Sequence, residues 1–332
     1  MRIRKSTRQV GWVSLIDPPF RENDYPQKGG SKGRPTLRRL LVGAIALNTV
    51  IGAGCGGGDD DRVKDRRPPG PPRELDEIVG TIQDNADRLD KALHSGSVRV
   101  VARMKDSKGK KHVFNFDGTL LFQKPRMLRM DLRHGTGTPV MQVGSNNDEY
   151  WAWVEPEMHQ MWWGRHRHAG KACVEEVSVR PDQMVSAVAM GGLPGPDAGL
   201  IGPLRASGNE HDILFYTMPD GDGSQRLVRQ YYVDRRPPYQ IRLIAFLDEM
   251  GRKEMTAYLD DYKAAWRGGP LIAHAVSIFW PEEDGKFTIT MQAARGVERG
   301  KVAASAFVRP VENEVPRSIR GNIEQIDAAC GD

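Results

Sequence analysis

The sequence predicts a single α+β domain: one amphipathic helix, about a dozen antiparallel strands and a short helical insert in mid-chain. Three observations predict it. Apolar residues recur at helical spacing just after residue 74, alternating segments punctuated by turn residues fill most of the remainder, and a Gly- and Pro-rich island at 181–205 interrupts the alternation.

The helix comes first. Leu75, Ile78, Val79, Ile82, Ala86, Leu89 and Leu93 form one apolar stripe, and Gly96 sits just past its end. Strand-like segments follow at 97–104, 112–122, 127–133, 139–144, 149–154 and 158–164, then at 211–218, 226–234, 240–248, 253–260, 271–280 and 286–293. Turn chemistry separates many of them: Gly135, Gly144-Ser145-Asn146-Asn147, Pro219-Asp220-Gly221, Pro237-Pro238 and Asp284-Gly285. Inside the island, 181–190 reads as a short helix with Asp182 near its start and Gly191-Gly192 after it. The stretch from Leu193 to Leu204 reads as a long loop, a length that is more often functional than merely connecting.

The strand pattern carries information about faces. In 127–133, Leu128, Met130 and Leu132 alternate with Arg129, Asp131 and Arg133. The hairpin 149–163 instead is apolar on both faces: Trp151, Trp153, Met161 and Trp163 on one, Tyr150, Ala152, Val154, Met158 and Trp162 on the other. A sheet wetted on one side does not do this, so one face is expected to pack on helices and the other to line a cavity or join the core.

Ahead of the domain, Arg34, Arg38 and Arg39 precede the apolar run Leu40 to Gly54, which ends in small residues at Cys55. This resembles a bacterial lipoprotein signal, in which the cysteine is lipidated and becomes the new N-terminus. Residues 1–54 are read as the leader and 55–73 as the lipidated Cys55 plus a tether too rich in Gly, Pro and charge to order itself. Extended, that tether reaches roughly 60 Å. The chain has a net charge of +5, but residues 1–54 hold 10 of its 48 basic residues and only 3 of its 43 acidic ones. The remainder has 38 basic against 40 acidic residues, which removes any charge argument for nucleic-acid binding.

The run Phe116-Asp117-Gly118-Thr119-Leu120-Leu121-Phe122-Gln123-Lys124-Pro125-Arg126-Met127-Leu128-Arg129-Met130-Asp131 resembles a signature of the periplasmic lipoprotein-carrier family, which includes the carrier LolA and the receptor LolB. The polar turn and Trp-containing strand Gly144 to Trp153, the opening helix and Phe307-Val308-Arg309-Pro310 also fit that pattern. The resemblance implies a half-open antiparallel barrel of about eleven strands over 74–312, with a packed N-terminal helix, 181–205 as a helix and lid loop, and 313–332 as a C-terminal tail. It implies a non-catalytic protein that binds a lipid or a lipoprotein's acyl chain on the periplasmic side of the envelope; the candidate lipid site at Cys55 adds an anchor, and Gly56 after it, where an Asp would favour inner-membrane retention, points to the outer membrane. In the carrier an Arg before that Pro bonds the lid; Lys124 stands there and lacks the Arg fork, with Met184 and Val188 as the insert's lid contacts. The cavity-lining candidates are Phe114, Phe116, Leu128, Met130, Met141, Trp151, Trp153, Met161 and Trp163. The alternative is a protein-interaction module on the same fold, with these residues as plain core.

The remaining chemistry-bearing residues point to no reaction. Cys173 and Cys330 form either a disulfide or two separate thiols. His159, His166 and His168 lack the partner motif of a metal site, and no cofactor is expected. Asp220-Gly221-Asp222-Gly223 lacks the later Glu of an EF-hand, and Ser277 lacks a nucleophile elbow.

Overall fold

The computed structural model describes residues 67–331, except 106–109, 156–157, 172, 176, 178–179, 189, 196–197, 220–222 and 283. The expected leader, Cys55 and the tether as far as residue 66 lie outside the described residues.

Helix α1 spans Leu75–Asp87. Six strands follow: β1 (Ala92–Lys105), β2 (Lys111–Gln123), β3 (Met127–Arg133), β4 (Pro139–Ser145), β5 (Glu149–Val154) and β6 (Gln160–Arg165). Helix α2 (Pro181–Ala187) then precedes β7 (Ile201–Ser207), β8 (His211–Pro219), β9 (Gln225–Asp234) and β10 (Ile241–Leu247). The last strands are β11 (Lys253–Ala264), β12 (Leu271–Trp280), β13 (Gly285–Val297) and β14 (Ile323–Gln325). All fourteen join one sheet in the order β14-β6-β5-β4-β3-β2-β1-β13-β12-β11-β10-β9-β8-β7. Its two ends, β14 and β7, do not pair with each other, so the sheet is open.

The twelve strand segments legible in the sequence, like the eleven or so that the resemblance implies, are too few, and the two strands beyond those twelve escape for local reasons. Residues 201–207 belong to an edge strand rather than to a lid loop. Gly202 and Pro203 disguise it: Pro is tolerated at an edge, and the pairing of β7 with β8 shifts register between Ile201 and Leu204. Strand β14 has three residues, too few to show alternation, and it adds parallel to β6.

The first helix is shorter than its apolar stripe suggests. It stops at Asp87, Leu89 packs in the following turn, and Leu93 lies in β1 opposite Phe122 of β2. Gly96, expected to end a helix, sits where β1 shifts register between Ser95 and Val98. Residues buried from either conformation keep the helical spacing, so the stripe alone cannot mark the reversal. Asn85 fixes the helix to the sheet: its side chain accepts from the Leu271 amide (2.8 Å) and donates to the Leu271 carbonyl (2.9 Å).

One core lies on the inner face of the sheet. Val98, Val100, Phe116, Leu120, Leu128, Met130, Met141 and Val143 contribute from the first strands, and Tyr231, Ile244, Met255 and Ile278 from the last. Helix α2 touches β4, β5 and β11, so the sheet curls enough for distant strands to meet one short helix. That helix is buried through Pro181, Asp182, Gln183, Met184, Val185 and Ala187. It is packed inside rather than laid over an opening.

The hairpin pairs Trp151 with Trp163 and Trp153 with Met161, which puts these four on one face as expected. Its inner residues Tyr150, Ala152, Val154 and Trp162 join the core. Its outer residues Trp151, Trp153 and Met161 are buried under the C-terminal segment, against Val315 and Ile319, with Trp163 and Ile323 at the margin. Trp151 lies flat on Gly144, where a Cβ would meet its ring at 2.2 Å, and its indole donates to Gln142 Oε1 (2.9 Å). The tail is therefore a strap. Arg309 stacks on Trp163 with its guanidinium 3.9 Å from the ring centroid, and a disulfide joins Cys330 to Cys173.

Candidate binding groove

A groove of about 830 Å³ opens beside α2. Its walls come from the end of α1, the β2–β3 turn, the segment after β6, residues 190–195, Ala198, Leu200 and the ends of β8 to β11. The apolar part is Phe122, Val185, Met190, Leu200, Val228 and Phe246. The volume falls within the range of roughly 300–1,000 Å³ for small-molecule sites.

None of the nine residues expected to line a cavity lines this groove. Phe116, Leu128, Met130 and Met141 are core on the inner face, with Phe114 packed against them. Trp151, Trp153, Met161 and Trp163 lie on the other face beneath the strap. The expected set thus joins residues that the sheet separates. Alternation shows that two residues share a face, and it carries no information on which distant segment covers that face.

Lys124 does line the groove, but it holds α1. Its ammonium donates to the Ala86 carbonyl (2.8 Å) and to Asp87 (3.0 Å), placing a cation at the C-terminal end of the helix dipole. Met184 and Val188 of the insert are buried in the core. The insert approaches the turn elsewhere: a Cβ on Gly191 would meet the Pro125 carbonyl at 2.9 Å.

The polar floor of the groove centres on a buried ion pair. Arg180 Nε and Nη2 donate to the two oxygens of Asp182 at 2.9 and 3.0 Å. Burial by itself would raise the Asp182 carboxyl, but Arg180, Arg229 and His166 hold it below the ordinary carboxylate value. Glu254 lies 3.9 Å from Arg180 and accepts from Gln183 Nε2 at 2.7 Å. Of these, the sequence singles out Asp182, as a helix start rather than an ion-pair partner, and His166, as a candidate metal ligand. A bidentate pair at i and i+2 has no spacing signature.

The three histidines go separate ways. His166 and His168 lie in a single helical turn. His166 Nε2 is hydrogen-bonded to Ser145 Oγ (2.8 Å), His168 Nδ1 donates to Asp327 (2.7 Å), and His159 lies near Glu155. Burial, assisted by Arg126, pushes His166 down to about 4 from its ordinary 6.5. The unfolded chain therefore binds the extra proton first. His166 contributes stability that is complete above about pH 6.5 and is lost as pH falls towards 4. A urea titration series should show stability falling by about 2 kcal/mol across that window, after allowance for partial exposure, and a shallower slope in His166→Gln.

No protein-family model matches the chain, and no curated protein matches it. Its fold is similar to solved structures. A domain described as an outer membrane lipoprotein-sorting protein, from Vibrio parahaemolyticus, is 10% identical, with 70% of this chain and 97% of that one covered and a TM-score of 0.44. A LolA superfamily protein from Nitrosomonas europaea gives 10% identity, 70% and 97% coverage and a TM-score of 0.43. A DUF1329 family protein from Desulfovibrio piger gives 11%, 70%, 99% and 0.42.

Proposed function

We propose that this chain is a non-catalytic, membrane-anchored binder of an acyl chain or other amphiphile on the periplasmic side of the cell envelope, acting in lipid or lipoprotein handling. The observation that carries the reading is the groove, whose apolar wall of Phe122, Val185, Met190, Leu200, Val228 and Phe246 meets a charged floor. An alkyl chain gains roughly 0.8 kcal/mol per buried CH₂, enough for reversible capture. The Arg-flanked apolar run that ends at Cys55 supports a lipid anchor, Gly56 in place of an Asp after it favours the outer membrane, and the Cys173–Cys330 bridge suits an oxidising compartment. The interaction-module reading draws on a specific observation as well: the inner face is filled by the sheet's own side chains.

The test is native mass spectrometry together with titration of a fluorescent fatty-acid probe. Co-purified lipid and saturable probe binding are expected, and Leu200→Glu and Val228→Glu should abolish the binding. Absence of both lipid and probe binding would sink the amphiphile reading in favour of the interaction module. Labelled palmitate should attach to the wild type and not to Cys55→Ala.

A further inference from the structure

We propose that the groove reads the head of its ligand, an oxoanion (carboxylate or phosphate), through Arg126 and Arg229. The inference rests on the amphiphile reading and sharpens it to an anionic amphiphile.

Most charges along the groove are satisfied within the protein. Lys124 is paired with Asp87, Arg180 with Asp182, and Asp248 with Arg252, while Arg226 donates to the Gly170 carbonyl. Two guanidiniums differ. Arg126 makes no hydrogen bond or ion pair among the described residues, although it is half-buried in the wall. Among the described residues Arg229 has a single side-chain hydrogen bond, from Nη1 to Tyr231 Oη at 3.3 Å, and its guanidinium lies 4.7 Å from the centroid of the Phe246 ring. Its Nε is buried without a partner.

Both guanidiniums line the same groove. Arg126 lies near enough to His166, and Arg229 to Asp182, for its charge to be felt there, and His166 and Asp182 feel each other in turn. Among the described residues, the carboxylates of the floor are engaged elsewhere. Asp182 spends both oxygens on Arg180, and Glu254 accepts from Gln183. His166, its value pushed down, stays neutral at physiological pH and adds no charge of its own. At the rim, Lys171 and Glu249 are exposed, and Glu175 shares a hydrogen bond with Glu324.

Half-buried guanidiniums with unused donors call for an acceptor. The planar Arg fork matches a carboxylate or a phosphate, and it does so more strongly than a neutral acceptor. Phe246 and Val228, beside Arg229, begin the apolar wall. A head held at the arginines thus leaves its chain against hydrocarbon, which a free inorganic anion would not use.

The experiment is displacement of the fluorescent probe from the purified full-length protein by four competitors: palmitate, palmitoyl lysophosphatidate, the neutral ester monopalmitoylglycerol, and inorganic phosphate. The two anionic lipids should compete at least ten-fold better than the neutral ester, and their ranking tells carboxylate from phosphate. Arg126→Gln, which removes no internal bond, should erase most of that preference while leaving the neutral ester's affinity unchanged. Arg229→Lys should weaken it in the same sense. Equal competition by anionic and neutral lipids overturns the head-group assignment and leaves the amphiphile reading standing. Displacement by phosphate as effective as by the lipids overturns it too, in favour of a free anion. Failure of the probe and all four competitors to bind overturns the amphiphile reading itself.

Discussion

Cys330→Ser should lose about 3 kcal/mol of stability, and removal of the strap beyond residue 312 should cost more. The disulfide closes a loop with a sequence separation of 157 residues, long enough for the entropic gain to approach the upper part of the usual range of about 2–4 kcal/mol. The strap keeps other holds when the bridge is opened. Asp327 accepts from the Arg165 amide (2.9 Å) and from His168 (2.7 Å), and Ser318 donates to Glu155 (2.6 Å). Those contacts place the single substitution near the middle of the range. The truncation also uncovers Trp151, Trp153 and Met161, each at most 5% exposed. Urea unfolding measures the first effect. The second appears as a red shift of tryptophan emission and binding of a hydrophobic dye. A Cys330→Ser variant with an unchanged urea midpoint would show that the bridge contributes nothing beyond these contacts.

Asp182→Ala should cost about 3–5 kcal/mol, because it strands Arg180 in the interior without its partner. The double variant Arg180→Met/Asp182→Leu should recover most of that loss, since two apolar groups of similar size leave no buried charge. Non-additivity in this cycle is the expected result, and additive losses would mean that the two side chains do not act as a pair. The pair also sets an acid limit. Asp182 has a depressed folded-state value, so its contribution is present above the unfolded carboxylate value of about 3.8 and is lost as pH falls below it. The His166 loss comes at higher pH, between 6.5 and 4, and the two can be separated by titrating the single variants.

Much of the fold was legible because it is written locally. The segments 127–133, 149–154 and 271–280 were placed to the residue by alternation and turn chemistry. Where local signals conflict with context, the reading failed. Gly202 and Pro203 hid an edge strand, and Leu93 continued a helical stripe into β1. Less of the site was legible. Lys124 was picked out, but its partner is the end of α1 rather than the insert. Arg126 and Arg229 carry no motif, since what marks them is guanidinium donors left unused by the described residues around them in three dimensions.

By itself, the sequence determined the class of the domain, the positions of most strands and the face shared by Trp151, Trp153, Met161 and Trp163. These depend on a period of two and on turn residues, both properties of neighbouring positions. Only the tertiary structure decided that a strap from the far end of the chain covers the tryptophan face, that α2 is core, and where the groove opens. Those outcomes depend on contacts between segments more than a hundred residues apart, chosen by shape and charge complementarity that no local pattern encodes.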